Sequence, residues 1–418
     1  MKETKFKQTD IGLIPEDWDI KEIGNFTEIV TGATPSTQIQ RFWYQGTIRW
    51  MSSGEVNLKY VREVIGRITE DGYRNASTHL LPPHCVLIGL AGQGKTRGTA
   101  AYNLISLCTN QSIGSILPND SYCSLFLYHY MDAKYNDLRL LSAGDGGRGG
   151  LNKKLLSEYK VPLPPTIEEQ ERIANALSQV DDLLAALDEQ IEKKQLVKQG
   201  AMQQLLTGKT RLQGFRGEWK TVKLGEIGNT FNGLSGKSAV DFGTGNAKYV
   251  TFLNVLNNPI IDTSILENVN INLGEKQNAV HKGDLFFNTS SETPEEVGIC
   301  AVILEEIKNL YLNSFCFGFR LFDENVDGKY LAFYFRSKTG RDLMTTLAQG
   351  ATRYNLSKSA FDKSEITIPS TLAEQQAIAN ILSTMDDEIQ ALQEERDKYA
   401  LVKQGMMQQL LTGKIRLK

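Results

Sequence analysis

Long apolar runs are missing from this sequence. No window approaches the roughly 20 consecutive apolar residues that a bilayer-spanning helix needs. The opening stretch, MKETKFKQTDIGLIPEDW, has no apolar segment behind its lysines, as a secretory signal would. Cysteine is scarce: Cys85, Cys108, Cys123, Cys300 and Cys316 form an odd set with no CxxC pair. That set predicts buried thiols kept reduced. Together these absences imply a soluble protein of the cytoplasm. Charge of one sign is also lacking. Lys and Arg number 46 against 49 Asp and Glu, a net charge of −3. A large basic excess is the usual footprint of nucleic-acid binding, so charge alone does not lead there.

What is present is a repeat. TIEEQERIANALSQVDDLLAALDEQIEKKQLVKQGAMQQLLTGKTRL begins at Thr166, and TLAEQQAIANILSTMDDEIQALQEERDKYALVKQGMMQQLLTGKIRL begins at Thr371, aligned without a gap. Each copy predicts one long helix. Thr166 with Glu169, and Thr371 with Glu374, have the spacing of a capping box, and Gly208 and Gly413 follow the last apolar residues as stop signals. Ile173, Leu177, Val180, Leu184, Leu187 and Ile191 step by four and three, as do Ile378, Leu382, Met385, Ile389 and Leu392. This a/d spacing predicts a shared coiled-coil seam, with two helices lying separately on their own domains as the alternative.

The helices divide the chain into residues 1–160, 161–212, 213–368 and 369–418. At 41% hydrophobic and 23% charged, 418 residues suffice for two or three globular domains. Outside the helices the halves repeat weakly. Trp18 with Ile23-Gly24 matches Trp219 with Leu224-Gly225, Thr31-Gly32 matches Asn232-Gly233, LFLYHY from Leu125 matches LAFYFR from Leu331, and RGGLNK from Arg148 matches RYNLSK from Arg353. Short apolar runs from Ile48, Cys85 and Leu104 predict strands, and SLFLYHYMDAKYNDLRLL from Ser124 predicts helix. The fold expectation is α+β: two similar globular modules, mixed α/β with mainly β-strand cores, separated by two long antiparallel helices in a coiled coil with pseudo-two-fold repeat.

Catalytic patterns are sparse. GLAGQGKT, Gly89–Thr96, fits the phosphate-loop pattern. Such a loop needs a helix directly behind it, whereas RGTAAYNLISL reads as strand and the second half has no GKT, so the stretch reads as a polar loop. His79, His84, His129 and His281 lack metal-ligand spacing, and no G-x-S-x-G elbow occurs. LPPH at Leu81 and LPPT at Leu163 do not supply the Asn/Asp-Pro-Pro-aromatic motif of an adenine methyltransferase. FGTG from Phe242 is too short for a cofactor loop. Asp181-Asp182 and Asp386-Asp387 point in different directions on a helix and predict solvated faces or partner contacts. No catalytic residue, metal ligand or bound cofactor is expected.

Residue types that can read nucleic acid do lie in matching parts of the two halves. Arg and Lys pair with guanine and hold phosphates, while Gln and Asn pair with adenine. The candidates in the first half are Arg41, Trp43, Tyr44, Arg49, Gln93, Lys95, Arg97, Arg148 and Lys153. In the second half they are Lys237, Lys248, Tyr249, Arg353, Tyr354 and Lys358.

The chain resembles the DNA-specificity subunits of type I restriction-modification systems. The resemblance rests on LVKQGAMQQLLTGKTRL and LVKQGMMQQLLTGKIRL, EQERIANALSQVDDLL and EQQAIANILSTMDDEI, IPEDW, GEWKTVKLGEI and GQGKTRG, and covers essentially the whole chain. It implies that residues 1–160 and 213–368 are target-recognition domains, each reading half of a split site in double-stranded DNA. The long helices would space them and dock two methyltransferase subunits. Those partners would bring S-adenosylmethionine, and restriction subunits would bring ATP and Mg chemistry; no membrane partner is implied. Two other readings stay open: a coiled-coil scaffold that binds protein, and an ATPase using Lys95.

Overall fold

The computed structural model describes residues 4–92, 94–141 and 150–417. The chain forms two compact units, Met1–Leu187 with Glu395–Lys418, and Asp188–Glu394.

The first unit is built on a five-stranded sheet in the order Ile29–Thr31, Ile113–Ile116, Val86–Gly89, Ala100–Asn103, Tyr60–Val61. Its three central strands are buried at every position, because both faces are covered. The two-residue period sorts their side chains. Val86, Ile88, Ala100 and Tyr102 share a core with Phe126 and Leu127 of helix Ser124–Ala133, whereas Leu87, Ala101 and Ile113 join Met51, Val56 and Leu107 on the other face. Met51 ends the middle strand of a smaller sheet, ordered Cys108–Thr109, Ile48–Met51, Arg67–Ile68, with one parallel and one antiparallel pair.

The second unit repeats this plan with different residues. Its main sheet runs Gly228–Asn232, Cys316–Leu321, Leu285–Asn288, Cys300–Val302, and Ile260 bridges Val302 in parallel where the first unit has a fifth strand. Leu285, Phe287, Cys300 and Phe317 pack with Leu331 and Phe335 of helix Gly328–Arg336, while Phe286, Ala301 and Cys316 face a second core with Val250 and Leu310. Again a smaller sheet carries one antiparallel and one parallel pair, in the order Glu267–Val269, Phe242–Val250, Leu310–Leu312. The fold is mixed α/β with two repeated domains, and its topology repeats more fully than its sequence.

The repeated helices are Ile167–Leu205 and Leu372–Leu410, each 39 residues long. Glu169 N–H donates to Thr166 Oγ1 at 3.2 Å, and Glu374 N–H to Thr371 Oγ1 at 3.4 Å. The return arm of the expected capping box is absent, because both carboxylates are turned to arginines. In the first unit Glu169 takes Arg416, with Nη2 to Oε2 at 2.7 Å, and the guanidinium lies over Trp18 at 5.6 Å. In the second, Glu374 takes Arg211 at 2.6 and 2.7 Å, and that guanidinium lies over Trp219 at 5.8 Å. Gly208 and Gly413 both adopt φ +68° just after the helices. A Cβ there would meet the Trp219 ring at 3.3 Å in one case and Pro15 Cγ at 2.3 Å in the other.

Two further fasteners recur in each unit. Gln170 accepts from Cys123 N–H at 2.9 Å and donates to Pro164 O at 3.0 Å. Gln375 accepts from Asp327 N–H at 2.8 Å and donates to Pro369 O at 2.9 Å. Each glutamine thus ties the start of a long helix to the start of the core helix beside it. Asp181 pairs with Lys403 at 2.6 Å and accepts from Tyr60 Oη at 2.9 Å. Asp386 pairs with Lys198, whose ammonium lies 5.6 Å from the Phe333 ring centroid. These two aspartates therefore serve as internal ion-pair partners rather than solvated faces. The clamping residues Glu169, Gln170, Asp181, Lys198 and Arg211 are identical to their counterparts Glu374, Gln375, Asp386, Lys403 and Arg416 in the second copy.

Candidate nucleic-acid interface

Two loops meet at one end of the main sheet in each unit. In the second unit Ser290–Ser291, Tyr354–Leu356 and Ala348–Gln349 form a small three-stranded sheet. The turn between its last two strands depends on Gly350, at φ +140°, where a Cβ would fall 2.1 Å from Arg353 O. Arg353 Nε donates to Ser290 Oγ at 3.2 Å, and Tyr354 is half-buried beside it. Lys358 donates to Asn232 Oδ1 and lies 5.7 Å from the Phe317 ring centroid; burial pulls its pKa down. Leu356 N–H donates to Thr289 O at 2.9 Å, docking the turn against the segment after strand Leu285–Asn288.

The first unit uses the same contact, with Leu151 N–H on Leu90 O at 3.1 Å. This brings Lys153, exposed at the first position of helix Lys153–Ser157, to the GQGKTRG loop. That loop joins two antiparallel strands, Val86–Gly89 and Ala100–Asn103, closed by Gly98 N–H on Gly89 O at 2.8 Å. A strand rather than a helix follows the GKT, so the phosphate-cradling geometry is not formed. Lys95 is exposed and Arg97 half-buried on this loop. Gln93 and Arg148 lie outside the described residues.

A second group sits on the smaller sheet of the first unit. Arg41 pairs with Asp71 at 2.9 Å, and Arg49 with Glu63 at 3.1 Å. Arg49, Arg67 and the Val64 N–H together hold the Glu63 carboxyl at a pKa of about 2. Trp43 packs edge-on to Trp50 at 5.0 Å and donates to Ser36 O at 3.1 Å, while Tyr44 is 64% exposed. In the second unit Lys248 is exposed on strand Phe242–Val250. Two candidates there are turned inward. The Lys237 side chain is 4% exposed and bonded to Glu275 at 2.5 Å, and Tyr249 is buried with its hydroxyl on Glu267 at 2.7 Å. Neither can reach a ligand without breaking an internal bond.

Of the seam positions, Ile173 and Leu177 are buried in the first unit's core with Leu410 and Leu411. Ile378 and Leu382 are buried in the second unit's core with Leu205 and Leu206, and Met385 packs against it. Leu187 and Ile389 are also buried, whereas Val180, Leu184, Ile191 and Leu392 are half-buried. Two further exposed polar side chains that the sequence did not single out are Gln349, on the second unit's turn, and Arg62, after strand Tyr60–Val61. Neither carries a motif that marks it. Among the described residues no group of three or more His, Cys, Asp or Glu side chains could hold a metal ion. Among the described residues, too, no helix is long and apolar enough to cross a membrane.

One family model, the type I restriction modification DNA specificity domain, matches two stretches, residues 15–195 and 216–398. The chain belongs to that family. The two matches fall one on each half of the repeat, so the specificity domain occurs twice in this chain. Among its relatives is the MjaIX type I restriction enzyme specificity subunit of Methanocaldococcus jannaschii. It is 35% identical over 189 residues, a match that spans 44% of this chain and 42% of that one. A protein described as a putative MjaX type I specificity subunit, from the same organism, is 26% identical across 100% of this chain and 98% of its own length. The fold is shared with the crystal structure of the type I system S subunit from M. genitalium, at a TM-score of 0.61 and 15% identity, covering 97% of this chain and 98% of that one.

Proposed function

We propose that this specificity subunit reads an asymmetric, bipartite site in double-stranded DNA, one half-site per recognition domain, and performs no chemistry itself. The observation that carries the reading is the contrast within the repeat. The fasteners Glu169–Arg416 and Glu374–Arg211 are the same in both units, while the loops at the sheet ends differ in sequence. A shared frame with unlike loops suits two readers of unlike sequence. On this reading methylation of adenine with S-adenosylmethionine, and ATP- and Mg-dependent cleavage, belong to methyltransferase and restriction subunits.

The long helices are the spacer in this scheme, paired antiparallel as a coiled coil, with recognition domains at 1–160 and 213–368. Pairing of late residues in one helix with early ones in the other supports it: Lys403 with Asp181, and Lys198 with Asp386. Leu196 and Val197, and their repeats Leu401 and Val402, are exposed apolar pairs on these helices. They offer two equal patches for two copies of one methyltransferase subunit. With a net charge of −3, the chain leaves much of the phosphate grip to those partners. Replacing residues 1–160 by the corresponding part of another family member tests the scheme. Methylation mapping of the assembled complex is expected to show one half-site changed and the other kept. A change in both half-sites, or no sequence preference at all, would overturn it, the latter in favour of a protein-binding scaffold.

A further inference from the structure

Residues 188–394 contain six arginines, and most are committed inside the protein. Arg211 is held by Glu374, and Arg320 by Asp284 at 2.8 and 2.7 Å. Arg336 donates to the carbonyls of Cys300, Val255, Leu256 and Asn258, and Arg341 to those of Gly298, Glu295 and Val297. Arg216 lies in the segment before strand Trp219–Lys223, away from the paired loops in sequence. Arg353 is the remaining one, exposed at the end of the Gly350 turn.

Its geometry suits direct reading of a base. Nε is anchored to Ser290 Oγ at 3.2 Å, which limits rotation of the guanidinium. Among the described residues Nη1 and Nη2 have no partner. A guanidinium fixed through one nitrogen, with two parallel donors free, matches the O6 and N7 acceptors of guanine in the major groove. Gln349, at the other end of the turn, is exposed with no hydrogen bond from its amide among the described residues. The Ser290–Ser291 strand pairs only with Asn355 and Tyr354, so the Gly350 turn itself stands beyond it two strands wide, narrow enough to enter that groove. The neighbouring stretch after Ser291 is acidic, with Glu292, Glu295 and Glu296 all exposed. Carboxylates there disfavour a phosphate at this place, which leaves a base edge as the target of Arg353.

We infer that the Ala348–Leu356 ribbon enters the major groove and that Arg353 selects a guanine in the half-site read by the second recognition domain. The inference rests on the proposed DNA-reading function. The test uses the full chain assembled with its methyltransferase subunits and selection of preferred sites from randomised duplexes. Exchange of residues 213–368 identifies which half-site is theirs. Arg353→Gln is expected to cut discrimination at one guanine of that half-site by roughly 5- to 150-fold, with the other half-site and the gap unchanged. Arg353→Lys keeps the charge but loses the fork and should lose discrimination similarly; Ser290→Ala, which frees Nε, should lose part of it. Arg216→Gln should change nothing. Intact base preferences in all three Arg353 and Ser290 variants would overturn the inference, as would uniform weakening over all sequences, the mark of a phosphate contact. A wild-type complex without any sequence preference would instead overturn the DNA-reading function on which it stands.

Discussion

Arg416→Ala isolates the fastener that closes the first unit. Arg416 is 6% exposed along its side chain and Glu169 4% exposed. The guanidinium also reaches Asp17 at 2.7 and 3.0 Å and covers Trp18. Deleting it leaves the Glu169 carboxylate buried without a cation, and breaking such a pair costs about 3–5 kcal/mol. The half-exposed Asp17 contact adds only about 0–1 kcal/mol. Against a domain stability of about 5–15 kcal/mol, the loss is large enough to move a urea midpoint plainly. Glu169→Gln combined with Arg416→Met removes both charges and keeps much of the volume. The double variant is expected to be more stable than Arg416→Ala, because no uncompensated charge remains. A thermodynamic cycle built from Glu169→Gln, Arg416→Met and their combination should return a coupling of about 2 kcal/mol or more, little changed by salt. A loss below about 1 kcal/mol for Arg416→Ala, or strictly additive variants, would refute the assignment of this pair as a structural fastener.

Three further outcomes follow from the same structure. Burial and the nearby Lys403 cation push His129 down to a pKa of about 3, against the opposing pull of Asp132, with Asp181 3.9 Å from Nδ1. Between that value and the unfolded value of about 6.5 the unfolded chain takes up a proton the folded one refuses. Stability should therefore be complete above about pH 6.5 and fall with acidity, at a rate of up to about 1.4 kcal/mol per pH unit. His129→Asn should flatten that slope in a denaturation series, and an unchanged slope would exclude the histidine as its source. On the proposed spacer role, inserting one helical turn, about 5.4 Å, into both long helices should shift the preferred gap by about one or two base pairs of about 3.4 Å; methylation mapping with an unchanged gap would rule the spacer out. Gly350→Ala should distort the ribbon turn and reduce selectivity in one half-site, with a global melting temperature close to wild type, whereas unaltered selectivity would show that the turn is dispensable.

The long helices were legible because their signals are local: a threonine cap, a four-three apolar step and a terminal glycine each act within a turn or two. The same locality explains what went astray. Glu169 stands three residues after Thr166, so the return arm of a capping box was the natural reading. Its carboxylate instead takes Arg416, 247 residues away, and no local pattern encodes that choice. Asp181 and Asp386 looked like solvated helix positions for the same reason, since their lysines lie far off in sequence. Lys237 and Tyr249 resembled ligand-reading residues because a loop lysine or tyrosine has the same letter whether it faces solvent or a glutamate. Glu275 and Glu267 settle that through tertiary packing. The GKT stretch could be judged from sequence, because RGTAAYN behind it has the character of a strand.

The separation of Glu169 from Arg416 also has a consequence in time. At about 5–20 residues per second of synthesis, the guanidinium emerges on the order of ten to fifty seconds after the carboxylate it neutralises. Leu410 and Leu411, which complete the first unit's core, are equally late. Residues 188–394, by contrast, contain every group of their own core in one continuous stretch. The segment translated first is thus the last to be closed. Until then Glu169 lacks its cation, and the core around Ile173 and Leu177 lacks the side that Leu410 and Leu411 close.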